Sequence, residues 1–381
     1  MTDAPASFNL ADIWEWAAAR VPDRDALVVG PARRTYRELD ERANRLAHHL
    51  RAAGIGPGDR VALDLRNGPE YLEAMIAAFK LRAIPVNVNF RYVAGELRWV
   101  LDTSRASALL YHRSLADAVA GVADRVEEMH AVLVVDDLDD APPGTGEVPG
   151  AVPYDEALAA APAGPIETDG RSGDDHYLMF TGGTTGRPKG VLWRHEDAFF
   201  ACLGGGDPMR LQGPIADLAD LADRFVERIV YLPIAPMMHA AAQWTTFMWL
   251  FAGGTTVLVP GSFDATAAWD LVDREGVNIL TMVGDAVTKP MLDTLAAHPG
   301  RWDTSSLYAV ANGAAPLSPS VRRRLVEAFP SCMVTDGMGS SESGIQGAAR
   351  TMPGEEGGGA IAAGGIAAFA VGPTTTVLDD E

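Results

Sequence analysis

Tyr177-Leu-Met-Phe-Thr-Gly-Gly-Thr-Thr-Gly-Arg-Pro-Lys-Gly-Val191 is the stretch that decides how this chain is read. Residues 177–180 are apolar or aromatic and predict a strand. Residues 181–189 are too rich in glycine for helix or strand, and they have the composition of an anion cradle. Gly182, Gly183 and Gly186 let the backbone approach a ligand and turn its N–H groups inward. Thr181, Thr184 and Thr185 add hydroxyl donors, and Lys189 adds a mobile cation. The expected guest is a polyphosphate. A flexible surface turn has no need of three threonines, a proline and a lysine between two apolar strands.

Two familiar phosphate motifs fail here. A Walker loop needs Ser or Thr directly after its lysine, and Gly190 follows Lys189. A dinucleotide fingerprint opens a helix with Gly-x-Gly-x-x-Gly. Gly182-Gly183-Thr-Thr-Gly186 does not match it, and Val191-Leu-Trp193 reads as a strand.

The chain has 381 residues, enough for a large core and more than one subdomain. It is 48% hydrophobic and 22% charged, as soluble globular proteins are. Its net charge of −20 argues against nucleic acid or an anionic membrane as partner. A local cradle can still be positive, so ATP is not excluded. Cys202 and Cys332 form neither a disulfide framework nor a zinc spacing, and the N-terminus lacks the pattern of a signal peptide. A reducing cytoplasm is the expected location. Ile229 to Phe263 carries no Asp, Glu, Lys or Arg, but Pro233, Pro236, His239, Gln243, Gly253 and Gly254 interrupt it. This predicts a strand, a loop, a buried helix over 240–251 and another strand, not a membrane span.

Up to residue 135 helices and strands alternate, which predicts parallel β-α-β units. Thr35-Tyr-Arg-Glu38 fits a capping box. Residues 136–175, rich in Pro, Ala, Gly and acids, read as a surface excursion. The alternation resumes after the glycine loop. The last thirty residues suit short antiparallel strands.

Three later segments accompany the loop. They are Leu232-Pro-Ile-Ala-Pro-Met-Met-His239, Ala311-Asn-Gly-Ala-Ala-Pro-Leu317 and Thr335-Asp-Gly-Met-Gly-Ser-Ser-Glu342. In this order the four segments resemble the signature motifs of the adenylate-forming superfamily: acyl-CoA synthetases, peptide-synthetase adenylation domains and luciferases. Gly182 stands where that family commonly has Ser, so one hydroxyl contact to phosphate is missing. Met338 replaces the adenine-stacking Tyr, Gly339 is retained, and Ser341 replaces Thr.

The resemblance implies an α/β fold: two stacked α-β-α subdomains with mostly parallel sheets, plus a small distorted β-barrel subdomain. The expected divisions are 1–175, 176–345 and 346–381, with the family's mobile C-terminal domain absent from the chain. It also implies a two-step reaction. A carboxylate attacks the α-phosphate of ATP to give acyl-AMP, and a thiol, usually that of CoA, then displaces AMP. Lys189, His239 and Glu342 would serve the chemistry, with Glu342 as the Mg2+ ligand. The nucleotide would lie on residues 181–186, Lys189, Gly313, Ala314, Ala315, Asp336, Gly337, Met338, Gly339, Ser341 and Glu342. His239, Gln243, Trp244, Val283, Gly284, Gly313 and Gly339 would line the acid's pocket. No covalent protein nucleophile is needed, so Ser340 and Ser341 have no such role.

Phe180, residues 192–196, Gln243-Trp244 and Met282-Val-Gly-Asp285 resemble acyl-CoA synthetases acting on sterol side chains and other bulky acids. The expected substrate is therefore a large apolar acid, with Gly284 widening its pocket. Asp285 is expected to cap a helix and not to hold an amino group. The family's ribose-gripping Asp, hinge and catalytic Lys have no counterpart here, since the lysines are Lys80, Lys189 and Lys289. The chain alone is thus expected to bind nucleotide and acid but turn over poorly. A carrier protein as acceptor, a non-catalytic nucleotide-binding module and a homo-oligomer are the alternatives left open.

Overall fold

A computed structural model of the chain describes residues 4–138, 141–182, 186–354 and 370–371. Two sheets carry the architecture. The first has the order β7-β6-β5-β3-β4-β8-β9. Its strands are β3 (Arg60–Asp64), β4 (Ile84–Asn87), β5 (Ala106–His112), β6 (Ala131–Val135), β7 (Val152–Pro153), β8 (His176–Thr181) and β9 (Lys189–Arg194). The second has the order β16-β15-β14-β13-β12-β10-β11-β1-β2. It contains β1 (Asp25–Val29), β2 (Ala32–Thr35), β10 (Val230–Pro233), β11 (Thr255–Leu258), β12 (Ile279–Met282), β13 (Ala309–Asn312), β14 (Met333–Ser340), β15 (Gly344–Thr351) and β16 (Ala370–Val371).

Most pairings are parallel. The exceptions are β1 with β2, β8 with β9, and β14 with β15 and β15 with β16. Parallel sheets need cover on both faces, and their strands read as continuous apolar runs. Ala131–Val135, every residue buried, is such a run.

The subdomain division expected at 175/176 does not follow sheet membership. β1 lies in the second sheet, with Leu27, Val28 and Val29 opposite Thr256, Val257 and Leu258 of β11. β8 and β9 belong to the first sheet, where Val86 of β4 meets Leu178. β1 and β8 each have a partner distant in sequence, and local patterning carries no record of that choice. Of the expected β-barrel segment 346–381, the described residues extend the second sheet.

Helices fill the space between the sheets. Leu10–Arg20, Tyr36–Ala52, Pro69–Lys80 and Ala240–Phe251 share one apolar core with strands of both sheets. Tyr36–Ala52 opens with the predicted capping box: the Glu38 N–H donates to Thr35 Oγ1 at 3.2 Å, and the Thr35 N–H donates to Glu38 Oε2 at 2.8 Å. Pro69–Lys80 is buried along its whole length, charged residues included. Lys80 Nζ lies 2.8 Å from both Glu15 and Asp40. Glu73 is held by Arg42 and by the Tyr154 hydroxyl, each at 2.7 Å. Breaking such a pair from one side strands a buried charge.

Glu70, in the first turn of that helix, has a buried carboxylate oxygen without a partner. Burial, with the charge of Glu73 adding to it, pushes its pKa up to about 7. Burial does the same to Asp64, also to about 7. Both carboxyls therefore hold protons in the folded state at pH values where the unfolded chain has lost them. Their contribution to stability is present at low pH and lost as pH rises towards 7. Glu70→Gln should remove its share, about 3 kcal/mol for the full shift. The variant's melting temperature relative to wild type should be higher at about pH 8 than at about pH 5. An equal difference at both pH values contradicts this assignment.

Candidate active site

Side chains alternate across a strand, and β10, β12, β13 and β14 use that alternation to divide two environments. Leu232, Leu280, Val310 and Val334 face an apolar core with Trp269, Leu292 and Leu325. Tyr231, Ile279, Thr281, Ala309, Ala311, Met333, Thr335 and Gly337 face the other way and line a cavity of about 410 Å³. The opposite wall is the helix Ala240–Phe251. Its Ala241, Trp244, Thr245, Met248 and Trp249 follow the three- and four-residue spacing of one helical face. Phe247, Leu250 and Phe251 pack into the shared core instead.

The mouth of the cavity gathers the small residues that follow the strands. Gly313 and Ala314 line it beyond β13, and Gly337, Met338, Gly339, Ser340 and Ser341 line it along β14 and its turn. Ala314 has φ +62, outside the usual range for a residue with a Cβ. A Cβ added at Gly313 would meet nothing within 4 Å, so space is open beside that backbone. These positions lie at the carboxyl ends of parallel strands, where open α/β sheets bind ligands.

Two contacts join the glycine loop to this mouth. Asn87, at the end of β4, accepts the Phe180 N–H at 2.6 Å. Its amide donates to the Phe180 carbonyl at 2.9 Å and to the Met238 carbonyl at 2.7 Å. The strand entering the loop is thereby fixed beside His239. Trp193, on the strand leaving the loop, donates to the Ser341 carbonyl at 2.9 Å. Trp99 donates to the Pro188 carbonyl at 3.2 Å, and the Arg187 guanidinium lies 4.3 Å above the Trp99 ring.

Lys189, paired across the strands with Thr181, is exposed at the start of β9. Glu342 is exposed in the hairpin turn between β14 and β15. Ser341 belongs to that turn and caps no helix. Gly182 is exposed, and a Cβ there meets nothing within 4 Å. Gly186 is exposed as well, whereas Gly183, Thr184 and Thr185 lie outside the described residues.

Of the residues expected at the acid's pocket, Trp244, Val283, Gly313 and Gly339 line the cavity. Gln243 does not. Its amide nitrogen donates to Tyr71 Oη at 2.9 Å and to the Met237 carbonyl at 2.7 Å, while its oxygen accepts the Tyr177 hydroxyl. It is a buried strut that uses up its donors in the protein. Gly284 does not widen the pocket either. It has φ +54, and a Cβ there would sit 2.7 Å from the Cβ of Ala315. Backbone conformation and close packing require glycine at that position.

Asp336 is buried, accepting from Asn312 at 2.7 Å and from Arg322 at 3.1 Å. Asn312 in turn accepts the Gly284 N–H at 2.7 Å and donates to the Ala315 carbonyl at 2.9 Å. Asp336 and Ala315 therefore shape the mouth from behind. Asp285 accepts the N–H of Ser318, the residue before the helix Pro319–Ala328.

His239 precedes the cavity helix, next to the lining residue Ala240. Partial desolvation, with the Arg91 cation adding to it, holds its pKa below the ordinary histidine value. His195 is buried and structural, accepting the Leu10 N–H at 3.2 Å. Burial lowers its pKa to about 4. The sequence reading passes over Asn87. Its signal was a polar residue closing the apolar run Ile84-Pro-Val-Asn87.

Among the described residues no group of three or more His, Cys, Asp or Glu could hold a metal. A lone carboxylate such as Glu342 suits magnesium, which is held by few protein ligands together with phosphate oxygens.

Residues 14–381 match the family described as AMP-binding enzyme. A 3-oxocholest-4-en-26-oate–CoA ligase of Rhodococcus rhodochrous is 41% identical over 98% of this chain and 66% of its own length. A medium/long-chain-fatty-acid–CoA/3-oxocholest-4-en-26-oate–CoA ligase of Mycobacterium marinum is also 41% identical, over 98% of this chain and 67% of its own. The chain thus spans about two thirds of the length of these relatives. Among solved structures, the inhibitor-bound N-terminal domain of FACL13 from Mycobacterium tuberculosis superposes with a TM-score of 0.71 at 26% identity, covering 91% of this chain and 79% of that one. An anthranilate CoA ligase in complex with anthranoyl-AMP shares the fold, with a TM-score of 0.76 at 21% identity, covering 94% of this chain and 65% of that one.

Gln243→Leu should destabilise the protein by about 2–4 kcal/mol in chemical denaturation, because two buried tyrosine hydroxyls lose their partner. The relative binding of short and long acids should stay the same. Gly284→Ala should cost about 1–3 kcal/mol from strain at positive φ. A change of acid-size preference in either variant, without loss of stability, contradicts these assignments.

Proposed function

The chain belongs to the AMP-binding enzyme family, and on that footing we propose that it activates a large apolar carboxylic acid with ATP, giving an acyl adenylate and then an acyl-CoA thioester. The observation that carries this reading is the continuity of the cavity. An apolar chamber between β-sheet and helix opens among Gly313, Met338 and Ser341, where the motifs expected to hold nucleotide converge. Its volume of about 410 Å³ falls within the range of small-molecule sites. Both named relatives act, by name, on a steroid acid, and one of them also on fatty acids. By similarity the acid here is of that kind, and CoA is favoured over a carrier protein as acceptor.

The first step brings two anions together. A carboxylate oxygen of the acid attacks the α-phosphorus, and the bond to the pyrophosphate oxygen breaks. Lys189 and the loop N–H groups oppose the phosphate charge. Magnesium, when bound, neutralises further phosphate charge, and Glu342 would be its protein ligand. Neutral at physiological pH, His239 can donate a ring N–H to the acid's carboxylate without fixing it by charge. Gly313, Ala314 and Gly337 leave flat space for adenine, with Met338 packing against it in place of an aromatic ring. In the second step the CoA sulfur attacks the acyl carbon and AMP leaves with its oxygen.

No helix among the described residues is long and apolar enough to cross a membrane. Cys202 and Cys332 are free and buried, in keeping with a reducing compartment.

Glu342→Gln should lower acyl-adenylate formation, read by trapping with hydroxylamine, by about 100-fold (roughly 2.7 kcal/mol of transition-state stabilisation). It should also raise the magnesium concentration needed for half-maximal rate. Because the residue is exposed in a turn, the melting temperature should not move. Lys189→Met should cost about 10–100-fold in the same assay. Wild-type rates in both variants refute the proposed roles.

A further inference from the structure

The cavity is apolar over most of its wall, with one exception. Arg210, Arg350 and Thr335 line it together. Thr335 of β14 stands directly opposite Arg350 of β15 in the antiparallel register. Cross-strand neighbours share a face of the sheet, so both side chains flank the same part of the chamber. Arg210 joins them from the segment before β10, and Arg350 donates to the Met209 carbonyl at 3.0 Å and the Arg210 carbonyl at 3.3 Å.

This group is short of acceptors. Thr335 Oγ1, Arg210 Nε and Arg350 Nε are all buried without a hydrogen-bond partner. Arg350 gives hydrogen bonds to the protein only through Nη2 among the described residues. Arg210 gives Nη1 to the Ile345 carbonyl at 3.1 Å and Nη2 to the Ala201 carbonyl at 3.4 Å. Among the described residues neither arginine forms an ion pair. The two cations repel, and burial together with Arg350 holds the pKa of Arg210 below its ordinary value. An unpaired buried donor costs about 1–3 kcal/mol, and here several occur on one wall of a chamber built for a ligand.

Their position says which part of a ligand they meet. Thr335 lies three residues before Met338 on β14, about 10 Å deeper at the usual rise per residue. Thr335 and Arg350 are therefore set back from the nucleotide end of the cavity, along the path of the acyl group, while the Arg210 guanidinium, bonded to the Ile345 carbonyl opposite Gly339, lies nearer the mouth. The protein carbonyls already take both N–H groups of Arg350 Nη2 and one from each terminal nitrogen of Arg210. What remains is a small set of donors, suited to one acceptor oxygen and reached by a turn about the flexible arginine torsions.

We propose that Arg210, Arg350 and Thr335 form a polar subsite within the acyl cavity, and that it accepts an oxo oxygen carried by the substrate acid away from its carboxyl group. This rests on the reading of the cavity as the acid's chamber. A site built to hydrogen-bond an oxygen rejects the analogue lacking it, because its donors are then left unpaired.

The test compares two non-hydrolysable acyl-adenylate analogues, sulfamoyl adenosines of a steroid side-chain acid with and without a ring ketone, titrated by calorimetry against the full chain. Wild type should bind the oxo analogue at least about tenfold more tightly, equivalent to roughly 1.4 kcal/mol. Arg350→Met and the near-isosteric Thr335→Val should each bring that ratio towards one, while Arg350→Gln should keep part of it. Circular dichroism melting selects the variants that fold, and Thr335→Val serves where Arg350→Met does not. Equal binding of both analogues by wild type, or an unchanged ratio in the folded variants, overturns the subsite and leaves the adenylation reading standing. Failure of the oxo analogue to bind wild type overturns both.

Discussion

The two-residue alternation of β10, β12, β13 and β14 is the constraint on which this molecule depends. Parallel pairing locks these strands in register, so that Leu232, Leu280, Val310 and Val334 all reach one core. The same register sends Tyr231, Thr281, Ala311 and Thr335 to the opposite face and makes a chamber wall of them. A slip of one residue would put the chamber's residues into the core and the core's into the chamber. The apolar core and the cavity wall are thus two faces of one hydrogen-bonded ladder.

The second sheet alone does not make a site. The glycine loop hangs from the first sheet, between β8 and β9, whereas Met338, Gly313 and Glu342 belong to the second. Among the described residues, Asn87, Trp193 and Gln243 bridge the gap with directed hydrogen bonds. Asn87 grips Phe180 and Met238 at once, Trp193 reaches Ser341, and Gln243 ties Tyr177 to Tyr71. These buried polar contacts carry direction that apolar packing lacks. They fix where the strands flanking the glycine loop meet the cavity.

Much of this was visible in the residues. The capping box at Thr35 and the buried helix over 240–251 follow from local chemistry, and both appear in the fold. The helix Gly284–Ala297 was not legible, because Pro290 within it speaks against a helix while surrounding contacts hold it in place. The resemblance places Gln243 and Gly284 with the substrate, as sequence neighbours of motif residues. Sequence proximity cannot distinguish a side chain that faces the cavity from its neighbour that faces the core. Asn87, Arg210 and Arg350 carry no motif, and only their placement gives them meaning.

The sequence by itself determined the family and the class of fold, and it supplies the glycine-rich composition, with Lys189 and Glu342, on which the proposed phosphate site rests. These are properties of short contiguous segments, whose composition fixes backbone conformation and charge. The tertiary structure alone decided which strands share a sheet, which motif neighbours face the acid, and where an apolar chamber acquires a cluster of unpaired donors. Those outcomes depend on pairing between segments far apart in the chain. Such pairing is set by the burial of the whole molecule and leaves no local trace.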